Sequence, residues 1–115
     1  MQIPKPTDAD KERFRSLVPA DARVEVKPMF GNLGAFVNGT MFMGLFGADI
    51  GIRLAPDEAE RLRGIDGAGP FGPAERPMGG YVTLPPSLVA SGAAVDWVAR
   101  SMAYVAGLPP KPAKR

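Results

Sequence analysis

Four side chains have the types and positions to do chemistry. Lys27 and Arg53 each interrupt an apolar alternation from its opposite face. Arg76 sits in a glycine- and proline-rich stretch, and Tyr81 opens the apolar run that follows it. If the strands carrying Lys27 and Arg53 are neighbours, the two cations and Arg76 form an anion-binding patch, because clustered positive charge attracts phosphate and carboxylate groups. The simpler account is cross-strand pairing with Glu25 on a solvated sheet face. Tyr81 and Trp97 are large amphipathic rings of the kind that anchor interfaces, and within strand and helix stripes such rings also serve as half-buried core. Six methionines, Met29, Met41, Met43, Met78 and Met102 among them, either fill an irregular core or offer a surface that adapts to a partner.

The absent residue types exclude more than the present ones assign. The chain has no cysteine and no histidine. Disulfides, thiolate nucleophiles, Cys or His metal sites and Ser-His-Asp triads are therefore ruled out. Asp49, Asp66, Glu75 and Asp96 are scattered over turns and helix faces and form no acid–base pair. No glycine cluster completes a phosphate-binding fingerprint. The residues point to a non-enzymatic protein, with no cofactor and no metal. The N-terminus lacks the apolar core of a signal peptide, and no apolar run reaches the ~20 residues of a membrane helix. A cytoplasmic protein without membrane attachment is the expectation.

The formal charge is +2 and the isoelectric point about 9.2. Lys111, Lys114 and Arg115 supply the excess; the rest of the chain holds slightly more acid than base. Direct nucleic-acid binding is not expected from so short a tail.

One domain must position these residues. The chain has 115 residues, with 14 glycines and 13 prolines, about twice the usual share, which points to many turns between short elements. Residues 1–6 read as a flexible lead, 7–110 as a single domain, and 111–115 as a basic flexible tail. Thr7 caps a helix from Asp8 to Val18, with Phe14, Leu17 and Val18 as its stripe and Pro19 as its stop. Val24 and Val26 alternate with Glu25 and Lys27 in a strand whose pairing loosens at Pro28 or which lies at a sheet edge. Asn38-Gly39 joins two apolar arms, Leu33–Val37 and Thr40–Phe46, in a hairpin. In the second arm Met41, Met43 and Leu45 are expected on one face, with Phe42 and Phe46 on the other. A strand at Ile50–Leu54, a surface helix at Asp57–Arg63, a loop at 64–80 and a strand at Tyr81–Leu84 follow. The final helix runs from about Ser87 or Ser91 to Ala106, with Val95, Val98, Met102 and Val105 as its core stripe. The fold class is α+β: two layers, an antiparallel sheet of about five strands against N- and C-terminal helices, in the order α-β-β-β-β-α-β-α.

Several segments together resemble a known family. Lys27-Pro28-Met29-Phe30-Gly31 leads to Leu33–Gly39 and Met41-Phe42. Ile52-Arg53-Leu54, Pro70-Phe71, Arg76–Val82, Leu84-Pro85, Trp97-Val98 and Leu108–Lys111 follow in order. Over residues 23–111 the combination is similar to the TfoX N-terminal domain family. The resemblance implies a two-layer α+β domain and a regulatory role in competence for DNA transformation, with a transcription factor of the catabolite-activator kind as protein partner. It implies no catalytic residues. Asn32 stands where many relatives have a second glycine, which implies an altered turn. Contact would run through the 64–80 loop, the Arg76–Tyr81 segment and the apolar flank of the last helix, which would also supply a homodimer patch. The alternative is a small-molecule or anion binder using Lys27, Arg53 and Arg76, including an enzyme of unknown reaction.

Overall fold

The computed structural model describes residues 3–109. Helix α1 (Asp8–Leu17) starts where Thr7 and Asp10 cap each other. The Thr7 hydroxyl accepts from the Asp10 amide at 3.1 Å, and the Asp10 carboxylate accepts from the Thr7 amide at 2.9 Å. Two N–H groups left over by the first turn are thereby satisfied. The helix stops one residue short of Val18, which adopts an extended backbone ahead of Pro19.

Four strands follow in a meander: β1 (Val24–Met29), β2 (Asn32–Val37), β3 (Thr40–Phe46) and β4 (Asp49–Arg53). Asn38 and Gly39 turn β2 into β3 with φ of 52° and 78°, the left-handed pair that a two-residue hairpin requires. Helix α2 (Pro56–Arg63) begins on its proline and ends at Gly64. Within the 64–80 loop a two-residue strand, β5 (Gly69–Pro70), pairs with β6 (Tyr81–Thr83). The sheet therefore has six antiparallel strands, in the order β1-β2-β3-β4-β6-β5. β1 lies at the edge, where Pro28 removes a donor without breaking an inner ladder.

Two local expectations are corrected. The register shifts between Ala35 and Phe36, so that Ala35 faces Met43 while Phe36 faces Met41. Phe42 is the extra residue of this bulge. Met41 and Met43 thus lie on opposite faces, and the simple alternation of the sequence fails there. The Ser101 hydroxyl donates to the Phe42 carbonyl at 2.8 Å, satisfying the bulged backbone from the helix layer.

The final helix is two helices, α3 (Pro86–Ser91) and α4 (Ala94–Ala106), broken by Gly92 at φ 84°. The break makes Ala94, Val98, Ser101, Met102 and Val105 the buried stripe of α4 and leaves Val95 55% exposed, off the core it was expected to join. One core lies between the sheet and the helices. Leu33, Ala35, Val37, Met43, Ile52 and Val82 meet Phe14, Val98 and Val105 in it. Helix α4 crosses β2, β3 and β4, α2 covers β6, and α1 rests on α4. Among the described residues no helix is long and apolar enough to cross a membrane.

Candidate functional site

The sheet's other face has no helix over it. Across it runs one lateral row, in which Lys27 on β1 pairs with Gly34, Gly34 with Gly44, Gly44 with Gly51 and Gly51 with Thr83. Three adjacent glycines leave a trough, because each removes a side chain from the same surface. The trough is filled from above. A Cβ on Gly34 would come within 2.9 Å of the Met41 sulfur and 3.0 Å of the Met29 sulfur. The Phe71 ring lies directly on Gly44 and Gly51, and a side chain at Gly51 would run into it. Phe71 also meets Phe46 edge-on, at 6.3 Å between centroids. The Phe71 ring thus pins the 64–80 loop to the open face, alongside the β5–β6 pairing and the Thr83 hydroxyl's 2.8 Å hydrogen bond to the Pro70 carbonyl. The Met78 amide donates to the Phe71 carbonyl at 2.8 Å and closes the loop over it.

Beside Phe71 the trough opens into a cleft of about 370 Å³. Met29, Met41, Phe46, Phe71, Pro73 and Met78 form its walls, together with Ile3, Phe30, Leu33 and Leu45. Among the described residues no ionisable side chain lines it, and Asn32, 4% exposed, is the one polar side chain that does. Both ends of the Asn32 amide are engaged: Nδ2 donates to the Pro4 carbonyl at 3.0 Å, and Oδ1 accepts from the Gly47 amide at 2.8 Å. Asn32 thus does more than alter a turn. It ties the start of β2 to the β3–β4 turn and to the lead.

Phe30 stands at the rim, at the tip of the β1–β2 hairpin. It is 79% exposed and has a φ of 50°. A bulky residue in the left-handed region is a backbone outlier. Neither burial nor backbone geometry accounts for phenylalanine there.

Arg53 and Tyr81 face each other across β4 and β6, and the Arg53 side chain lies against Gly80. The Tyr81 hydroxyl donates to the Met41 carbonyl at 2.6 Å, so Tyr81 helps to hold the β3 bulge. Burial pushes its phenol up, and the Arg53 charge opposes that shift. Lys27 lies three strands across and two residues along from Arg53 on the same face, about 16 Å away at ordinary strand spacing and rise. Its ammonium sits 3.7 Å from Glu25 and 5.2 Å from the Phe36 ring centre. Arg76 is exposed on the loop, its amide donating to the Pro73 carbonyl. The structure brings Arg53 and Tyr81 together and keeps Lys27 apart from them, and none of the four lines the apolar cleft. The cleft residues Phe30, Asn32 and Phe71 carry no site role in the sequence reading. A large aromatic inside a two-residue turn was the available signal for Phe30.

The family model for the TfoX N-terminal domain matches residues 13–105. The chain belongs to the TfoX N-terminal domain family. No curated protein matches it. The matched TfoX span holds every wall of the cleft except Ile3, and it holds Asn32 but not Pro4, the partner of Asn32 in the lead.

Proposed function

We propose that this TfoX-family domain is a non-enzymatic regulatory module of competence for DNA transformation, and that it contacts a protein partner through the cleft rimmed by Phe30. The partner the family resemblance implies is a transcription factor of the catabolite-activator kind. Phe30 carries this reading. It exposes a large apolar ring to water and holds a left-handed backbone that costs an L-residue about 1–2 kcal/mol. Strain of this sort is retained where surrounding structure and function require it. An exposed aromatic beside a pocket without charged groups fits the pattern of an interface anchor. Flexible methionines at Met29, Met41 and Met78 let the pocket adapt to that anchor's partner.

Anion binding through Lys27, Arg53 and Arg76 is the weaker reading, because Lys27 and Arg53 are about 16 Å apart and Lys27 is engaged by Glu25. Calorimetric titration of the domain with the purified transcription factor from the same cell tests the proposal. Phe30→Ser should weaken binding at least about tenfold, the loss typical of an interface hot spot, whereas Val95→Ser on α4 should leave it unchanged. Equal affinity of the Phe30→Ser and wild-type domains, or no binding by either, overturns it.

A further inference from the structure

A segment of the lead borders the cleft, with Ile3 38% exposed at its edge. Ile3 forms part of its wall, and the Pro4 carbonyl is read by the Asn32 side chain. The Pro4 ring also packs on Gly47, where a Cβ would approach it to 2.9 Å. Proline at positions 4 and 6 keeps this stretch extended, since proline fixes its own φ and pushes the residue before it out of the helical region. Among the described residues, no backbone–backbone hydrogen bond joins residues 3–6 to the sheet. The lead is held by one side-chain hydrogen bond and by apolar contact, a combination that opens easily.

We propose that the cleft is a peptide-binding site, that Ile3-Pro4 covers its Asn32 end in cis, and that a partner displaces these two residues with an extended segment of its own in which an aliphatic residue precedes proline. Three features fit that ligand. The walls include Phe30, Phe46 and Phe71, and aromatic-lined grooves accept extended proline-containing segments. Asn32, fixed in orientation by the Gly47 amide, presents its Nδ2 to a backbone carbonyl and so reads main chain rather than a particular side chain. Among the described residues no charged group lines the cleft, which favours an apolar anchoring residue. This proposal rests on the interaction reading above and names the chemistry of the partner's contact.

The test is an NMR titration of the full chain with a blocked peptide copying residues 3–6. Two proteins are compared, wild type and Ile3→Asp, the substitution that makes the tethered segment unfit for an apolar wall. The peptide should shift the amide signals of Gly44, Gly47 and Phe71 in Ile3→Asp and leave those of Val98 and Val105 in place. Wild type should need at least about tenfold more peptide, because a tethered copy competes at an effective concentration in the millimolar range. No shift in Ile3→Asp, or equal titration of both proteins, overturns the proposal. If the peptide fails while Phe30→Ser still abolishes binding of the transcription factor, the peptide assignment falls and the interaction reading stands. If the peptide binds as expected and Phe30→Ser leaves transcription-factor affinity unchanged, the interaction reading fails at that partner.

Discussion

On the helix side of the sheet, Leu33, Ala35, Met43 and Ile52 meet Phe14, Val98 and Val105, and every one of these side chains is buried. On the other side, three glycines stand in a row, one ring from a loop rests on two of them, and Phe30 projects into water. Both faces carry apolar surface, and the open one also carries Glu25, Lys27 and Arg53. They differ in who supplies the cover. Helices α1, α2 and α4 close the first face with stripes cut to its shape. The second is closed by Phe71, two methionines and a short piece of the lead, which leaves a cleft of about 370 Å³. The first face is built for stability, and the second keeps open surface at a cost in stability.

The largest effect that would sharpen this contrast is Phe42→Ala on the closed face. Phe42 is fully buried, and its truncation should lower unfolding free energy by about 3–5 kcal/mol in chemical denaturation. A loss below about 1 kcal/mol would mean that the helix layer is not the main source of stability. Next comes Gly51→Ala. The new methyl meets the Phe71 ring and must displace it, so a loss of about 1–3 kcal/mol is expected. Faster amide exchange at residues 71–80, with protection of α4 retained, would locate the damage on the open face. Unchanged exchange in that loop would show that Phe71 is not its pin.

Acid should act on the helix layer's approaches, with a smaller effect. The Arg23 guanidinium, bonded to Asp21 at 3.0 Å, and the Arg23 amide hold the Asp21 carboxyl down at about 2. The Thr7 amide, and then Arg13, lower Asp10 as well. A carboxylate whose folded pKa is depressed stabilises the fold above its unfolded value near 3.8, and that contribution disappears as pH falls through the folded value. Stability should hold level above about pH 5 and decline from pH 4 towards 2. Asp21→Asn should flatten part of that decline, and an unchanged acid limb would contradict the assignment.

Much of the closed face was legible in the sequence. Thr7 before an acidic turn, Asn38-Gly39 between apolar arms and Pro56 ahead of Asp57 are local signals, and each marks its element within a residue or two. The open face depends on register, which is non-local. Gly34, Gly44 and Gly51 look like three separate turn or spacing glycines until strand pairing aligns them. The bulge that sends Met41 and Met43 to opposite faces has no marker in Met41-Phe42-Met43. Gly92 as a helix break was hidden by the continuous apolar spacing around it. The cations at Lys27 and Arg53 were visible as exceptions to alternation, yet their separation is set by the two strands between them.

Phe30→Asn has the smallest expected effect on stability and tests the central contrast most directly. Asparagine accepts the left-handed backbone at position 30 and removes the ring from the rim. Stability measured by chemical denaturation should stay level or rise by up to about 1 kcal/mol. In the same variant, expression of competence genes should fall to the level of a strain lacking the protein. Full competence-gene expression from Phe30→Asn, or a stability loss above about 1 kcal/mol showing that Phe30 is a packing residue, would contradict the account.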